Sequence, residues 1–193
     1  FTLQAPTRAG YEFEGWTYDS VTTPMATVTI ALGSTGERTY TANWSPISYD
    51  ITYITQEGTH SNPTSYTIES GTITLGDAEL TGYTFVGWYT KMDGGEPVTQ
   101  IVPQETLDNI TLYARYTVNT VEVIFDYNYE DAPEQITLEI VFNTILGEVD
   151  GMDDILAHER SGYTIVSWNT AADGTGTVYA LDKGIVDAVG LIL

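Results

Sequence analysis

Cysteine is absent from the 193 residues. That excludes disulfides, thiolate metal sites and cysteine nucleophiles together, while leaving the compartment open. Positive charge is nearly absent too: 6 Lys+Arg stand against 27 Asp+Glu, a net of −21 at pH 7. Such a surface repels phosphate backbones and anionic headgroups, which argues against nucleic acid and membrane docking. Its plain role is solubility in a salty or calcium-containing medium. No apolar run is long enough to span a bilayer, and no signal peptide opens the sequence, so no membrane insertion is expected in this segment. With only 2 histidines, there is little material for metal or acid–base chemistry.

Aromatic and aliphatic residues, by contrast, are plentiful: 42% of the chain is hydrophobic and 12% aromatic, enough for packed cores. They recur in a pattern. GYEFEGWTY at 10–18, GYTFVGWYT at 82–90 and GYTIVSWNT at 162–170 each open with Gly-Tyr and carry a Trp five residues after the Tyr. An aromatic segment closes two of the copies, RTYTANW at 38–44 and ITLYARY at 110–116. Gly10 to Gly82 and Trp44 to Tyr116 both measure 72 positions, so two separate landmarks give one period. The third copy carries about eight extra residues before its Gly-Tyr. Counting forward from Trp168, Leu191, Ile192 and Leu193 start the third closing strand. The expected division is a partial repeat over 1–44 lacking its first strands, a complete repeat over 45–116, and a repeat over 117–193 with an insertion and a truncated last strand. The chain then reads as a window on a longer array.

Segments 26–32, 49–56, 64–75, 121–128 and 135–142 are rich in Thr, Val, Ile and Tyr and read as strands. KMDGGEP at 91–97 and AADGTGT at 171–177 carry Asp-Gly turn chemistry. A helix is expected over 152–160, with Asp153 and Asp154 in its first turn, His158 and Arg160 in its last, and Met152, Ile155 and Leu156 on one face. In the motif strands, Tyr11 and Phe13, Tyr83 and Phe85, and Tyr163 and Ile165 share one face with the small sixth residue. Trp16, Trp88 and Trp168 fall on the other parity. A bulge near the small residue would bring each Trp back to the same core. Because that residue is Gly15, Gly87 and then Ser167, smallness is a better reason for it than a left-handed backbone. In the closing strands Tyr40, Ala42 and Trp44 share a face, as do Leu112, Ala114 and Tyr116, while Asn43 and Arg115 point outward. The structural set is therefore Tyr11, Phe13, Trp16, Trp44, Tyr83, Phe85, Trp88, Tyr116, Tyr163, Ile165 and Trp168.

PTRAGYEFEGW (6–16), GYTFVGWYT…GG…TLYARY (82–116) and GYTIVSWNTAADGTGT (162–177) resemble the Listeria–Bacteroides repeat, the internalin B-repeat type, over essentially the whole chain. The resemblance implies a mainly β fold (α+β, β-grasp-like, ubiquitin- or SUMO-like in topology), built as small single-sheet modules in tandem. It also implies an extracellular, cell-surface or secreted location, and use as stalks and spacers with a role at times in adhesion or signalling. The short linkers SPIS (45–48) and TVNT (117–120) suit a semi-rigid, rod-like array. The first copy departs from the pattern, having DSVTTPMA at 19–26 where an Asp-Gly turn is expected.

Little chemistry is signalled. No catalytic residue, cofactor or metal site is expected. His60 and His158 lie in different copies with unlike surroundings and read as surface or helix-end histidines. Ser167 lacks the glycines of a nucleophile elbow. Asp126, Asn128 and Glu130 are spaced like the start of a calcium loop, but Asp131 stands where the loop needs Gly and Thr137 where it needs Glu. A strand end with polar side chains in water is the simpler reading. Lys91 and Lys183 have no counterpart in the first copy, which holds no lysine, so isopeptide cross-links are no general property of the repeat. Asn43 and Asn109 fit the glycosylation acceptor pattern.

The first expectation is a non-catalytic stalk whose partners are the neighbouring repeats of its own chain. The second is an adhesin module for a host or cell-surface protein, a glycan or calcium, with Tyr113, Tyr127 and Tyr129 as contacts. The third is an extracellular filament assembled by strand addition at the incomplete ends.

Overall fold

A turn accounts for the recurrent Gly-Tyr. The amide of Tyr11 donates to the carbonyl of Arg8 at 3.1 Å, that of Tyr83 to Leu80 at 3.1 Å, and that of Tyr163 to Arg160 at 2.9 Å. In each turn the third residue is the glycine, with φ +75° at Gly10, +79° at Gly82 and +82° at Gly162. A four-residue turn that needs φ > 0 at its third position selects glycine, and the Tyr that follows starts the motif segment. The computed structural model describes residues 1–180 and 186, and the backbone of 191–192. Lys183 and Leu193 lie outside the described residues.

Three sheets follow one another along the chain, each with the strand-forming residues expected of it. The first holds β1 (Tyr11–Tyr18), β2 (Val21–Met25) and β3 (Tyr40–Pro46), in the order β2-β1-β3. The second is built from β4 (Tyr49–Ile54), β5 (Ser65–Tyr66), β7 (Tyr83–Tyr89), β8 (Pro97–Val98) and β10 (Ile110–Val118), in the order β5-β4-β10-β7-β8. A ribbon of β6 (Ile73–Thr74) and β9 (Gln100–Ile101) accompanies it. The third contains β11 (Thr120–Phe125), β12 (Ile136–Val141) and β15 (Leu191–Ile192), in the order β12-β11-β15. Its companion ribbon pairs β13 (Ser167–Asn169) with β14 (Val178–Ala180). The only α-helix among the described residues is α1 (Met152–Leu156), so the fold is mainly β.

The chain clusters into two units. One comprises 1–56, 60–78 and 87–115; the other comprises 57–59, 79–86 and 116–193. In the first unit β4 and β10 run parallel, with Ile51 opposite Ile110 and Tyr53 opposite Leu112. Ile51, Tyr66, Trp88, Ile101, Leu112 and Ala114 are buried there. In the second unit β11 and β15 run parallel, with Val123 opposite Leu191. Val123 stands 72 positions after Ile51, so the parallel pairing recurs at the same place in the period. Its core gathers Val121, Val123, Phe125, Ile140, Leu146, Met152, Ile155, Trp168, Tyr179 and Val186.

The bulge is present in the first copy. Phe13 pairs with Trp44 and Gly15 with Asn43, so Glu14 is the extra residue, and Trp16 then faces Ala42 on the side that Phe13 shares. Phe13 packs edge-on against both Trp16 and Trp44, each at 5.4 Å. The reason for the glycine needs correcting. Gly15 has φ +135° and Gly87 +154°, a backbone that side-chain-bearing residues avoid. Smallness matters at Gly15, where a Cβ would lie 2.7 Å from the backbone of Met25, but at Gly87 it would meet only Tyr89 at 3.5 Å. Ser167 is accommodated because the third copy is not built this way: its segment 163–166 is no strand and Ser167 begins β13.

Three local expectations shift. The second strand of the first copy is Val21–Met25, not 26–32. It pairs with β1 through a tight turn at Asp19 (φ +46°) and Ser20, and Pro24 is tolerated on this edge. Segment 26–32 instead buries Val28 and makes an isolated bridge from Thr29 to Thr2. Segment 64–75 splits into β5 and β6 because Thr67 and Ser70 close a turn, with the Ser70 amide on the Thr67 carbonyl and the Thr67 amide on Ser70 Oγ, both at 3.0 Å. The helix stops at Leu156, since the chain must enter the Arg160–Tyr163 turn, so His158 and Arg160 lie beyond it.

Candidate functional site

Each motif tryptophan anchors a cluster of rings. In the second copy Trp88, 2% exposed, meets Tyr53 edge-on at 4.8 Å and His60 at 5.6 Å, and its Nε1 donates to the Gly76 carbonyl at 2.8 Å. Tyr53 lies 4.2 Å from His60 at an interplanar angle of 45° and donates its hydroxyl proton to the Pro63 carbonyl at 3.0 Å. Burial raises the Tyr53 phenol above its ordinary pKa. In the third copy Trp168 meets Phe125 at 5.0 Å and Tyr127 at 5.9 Å. Tyr127 lies 4.3 Å from His158, again at 45°, and its hydroxyl donates to the Ile155 carbonyl at 2.9 Å. The two histidines thus have like surroundings, contrary to the sequence reading. Both sit against a tyrosine of the motif cluster, brought there from segments that do not align in sequence. Edge-to-face pairs of this kind contribute about 0.5–1.5 kcal/mol beyond the area they bury.

Arginine joins the same scheme. Arg8 lies over the Tyr11 ring at 3.6 Å, and Arg160 lies between Tyr129 at 4.4 Å and Tyr163 at 4.2 Å. Arg115 is not simply outward-facing. It lies 3.8 Å over Tyr89 and donates to the carbonyls of Lys91, Met92 and Gly94, which fastens the turn after the motif strand. Asn43, also read as outward, is half-buried and donates to Gly15, Thr17 and Thr41. That amide is engaged in holding the bulge, whereas Asn109 is exposed and accepts from the Asp50 amide through its oxygen at 2.8 Å.

Successive copies meet through the Gly-Tyr turn. In the first unit the Gly10 carbonyl accepts from the Ile47 amide at 2.9 Å, and a Cβ on Gly10 would lie 2.8 Å from Ile68. Tyr11 donates to Glu69 at 2.9 Å, which raises its phenol pKa. In the second unit the Gly82 carbonyl accepts from the Asn119 amide at 2.9 Å, and a Cβ on Gly82 would collide with the Phe142 ring. Tyr83 packs on Tyr116 at 6.4 Å and on Phe142 at 5.9 Å, and Phe85 on Tyr116 at 5.8 Å. Gly162 differs: nothing lies within 4 Å of where its Cβ would be, and Tyr163 is 66% exposed.

The third copy also contains an open cleft of about 410 Å³. Asp126 to Tyr129 form one wall, segment 163–168 forms another, and His158 and Arg160 lie between them in sequence. The volume is within the usual range for a ligand site. Of the calcium candidates, Asp126 accepts from the Asn128 amide and from Gln135, each at 2.8 Å, and these bonds lower its pKa. The Asn128 side-chain amide donates to the Ala172 carbonyl at 2.6 Å, and Glu130 is exposed. Among the described residues no group of three or more His, Asp or Glu is placed to hold a metal ion. Ser167 is half-buried within β13. The indole Nε1 groups of Trp16 and Trp168 are buried without a hydrogen-bond partner among the described residues. Among the same residues, no helix is long and apolar enough to cross a membrane.

Residues 49–115 and 122–190 each match the family model described as the Listeria-Bacteroides repeat domain, and residues 1–48 match the divergent InlB B-repeat domain. A protein of Evansella cellulosilytica, named provisionally as a membrane protein, is 28% identical over 174 residues, covering 89% of this chain and 25% of its own length. A second protein of that organism, named provisionally as a Gly-rich membrane protein, is 29% identical over 68% of this chain and 16% of its own length. Internalin H of Listeria monocytogenes is 28% identical over 58% of this chain and 18% of its own length. The chain therefore spans a quarter or less of these curated relatives. No solved structure matches it significantly.

Proposed function

The chain belongs to the Listeria-Bacteroides repeat domain family, and from that premise we propose that it is a non-catalytic spacer, or stalk, in a larger extracellular or cell-surface protein, where it supports adhesion. One observation carries this reading. Two successive copies are joined by the same device, with the glycine carbonyl of the Gly-Tyr turn accepting from Ile47 in one case and Asn119 in the other. Those donors are also 72 positions apart. A joint repeated in register fixes one copy against the next, which is the property a stalk requires. The surrounding rings fill cores. The strongly negative surface keeps neighbouring stalks apart. The proposed repeats are 1–44, 45–116 and 117–193, and their first partners are each other.

The test is replacement of this segment, in the full-length protein displayed on cells, by an unrelated folded spacer of equal length. Adhesion should survive that exchange and fall when the segment is simply deleted. Loss of adhesion with the length-matched spacer would sink the spacer reading. It would favour a second one, an adhesin module for a protein, glycan or calcium, which the cleft beside Tyr127 and Tyr129 supports.

A further inference from the structure

We propose that the second copy is a load-bearing element whose mechanical clamp is the parallel ladder between β4 and β10. Tension along the chain shears that ladder as a unit and does not peel it bond by bond. The inference deepens the spacer reading and rests on it for its purpose, since a spacer between a cell and what it holds is pulled along its length.

The geometry follows from the direction of two strands. The chain enters the copy at Tyr49, the first residue of β4, and leaves it at Val118, the last of β10. β4 and β10 are neighbours and run parallel, with Ile110 opposite Ile51 through to Tyr113 opposite Ile54. The point of entry therefore lies at one end of the ladder and the point of exit at the other. A pull between them slides one strand along its neighbour, and every backbone bond between the two resists at once. Were the same two strands antiparallel, entry and exit would share one end and the bonds would open one after another. The parallel pairing recurs in the second unit, where Val123 lies opposite Leu191.

Three further features suit this pair to bearing load. It is internal to its sheet, with β5 on the outside of β4 and β7 on the outside of β10, so each strand is held from both sides. Ile51, Leu112 and Ala114 are buried on one face of it, which keeps water from replacing the ladder bonds as they stretch. Side chains add ties at both ends. At the entry end Asn109 Oδ1 accepts from the Asp50 amide at 2.8 Å, and the Tyr66 hydroxyl, from β5, donates to the Asp108 carbonyl at 2.6 Å. At the far end the Gln56 side-chain amide donates to the Ala114 carbonyl at 3.4 Å. Asn109, which fits the glycosylation pattern, thus holds β4 to β10 through its oxygen.

The experiment uses the full chain, which has no cysteine of its own, so paired cysteine substitutions give unique attachment points for force spectroscopy. Ser48→Cys with Thr117→Cys pulls along the clamp. Ser48→Cys with Glu105→Cys pulls on both strands from the entry end, and all three positions are exposed. At equal loading rate the first geometry should rupture at no less than about twice the force of the second, because the ladder bonds share the load. In the first geometry Asn109→Ala should shorten the lifetime under constant load about fivefold, as expected for the loss of one bond. Asn109→Asp, which keeps an oxygen for the Asp50 amide, should restore it. Equal forces in the two geometries, or a lower force in the first, overturn the clamp. An unchanged lifetime in Asn109→Ala overturns the tie assigned to that residue. The spacer reading is tested separately by exchange of the whole segment. A failed clamp leaves adhesion through the exchanged spacer untouched, and loss of adhesion there leaves the rupture forces untouched, so the two failures are distinguishable.

Discussion

GYTFVGW and GYTIVSW differ at two positions, yet the first forms a strand over Tyr83–Tyr89 and the second only over Ser167–Asn169. Both tryptophans are buried, at 2% and 4% exposure. The preceding residues part company: Tyr83 is half-buried against Tyr116 and Phe142, while Tyr163 is 66% exposed. The difference does not lie in propensity, which is nearly the same for the two segments. It lies in the neighbour: β10 runs beside the motif strand of the second copy, while among the described residues 163–166 has only the bridge of Tyr163 to Arg160. A strand is a relation between segments, and a motif can hold its Trp in a core without forming a strand over its first half.

The largest expected effect is common to both copies. Trp88→Ala and Trp168→Ala should each cost about 3–5 kcal/mol, because each empties a ring-sized site in a packed core. Urea unfolding followed by circular dichroism measures this, and a near-neutral Trp168→Ala would show that the third copy has no core of its own. Next comes the pair of turn glycines. Gly162→Ala should cost about 1–2 kcal/mol for the left-handed backbone alone. Gly82→Ala carries that strain and a collision with Phe142, so it should cost clearly more. Equal midpoint shifts in thermal melts would break the comparison. Tyr83→Ser should then cost about 2 kcal/mol against less than about 0.5 kcal/mol for Tyr163→Ser.

The smallest effect is on pH. Hydrogen bonds from the Asn128 amide and Gln135 hold the Asp126 pKa below its ordinary 3.8. A depressed carboxylate adds stability that is present in full above 3.8 and lost as pH falls through the lower folded value. The acid-side slope of stability should therefore be slightly shallower in Asp126→Asn than in the unaltered chain. Acid titration of the melting temperature reads that difference, and a steeper slope in Asp126→Asn would reverse the sign.

Much of the architecture was legible because it is periodic. The 72-residue step, the buried Trp88 and Trp168, and the alternation of Leu112 and Ala114 follow from residue type and parity, whereas the bulge that turns the half-buried Trp16 to the side of Phe13 is placed only by the structure. The Gly-Tyr turn was legible in principle, since RAGY, LTGY and RSGY each place glycine third in four residues before the motif segment. The pairing of His60 with Tyr53 and of His158 with Tyr127 was not legible. The histidines come from non-equivalent stretches, and only the folded chain brings each beside its tyrosine. Nor was the cleft legible, because its walls, 126–129 and 163–168, come from stretches far apart in sequence.

By itself the sequence determined which residues seek a core and how often the pattern returns, because burial and side-chain parity are local properties of residue type and order. Only the tertiary structure decided that the Gly-Tyr turn is also the joint between copies, that a Cβ on Gly82 would meet Phe142 while one on Gly162 would meet nothing within 4 Å, and that the motif forms a full strand in one copy and a short one in another. Those are facts of approach between distant segments, and closeness in space is set by the whole packed chain.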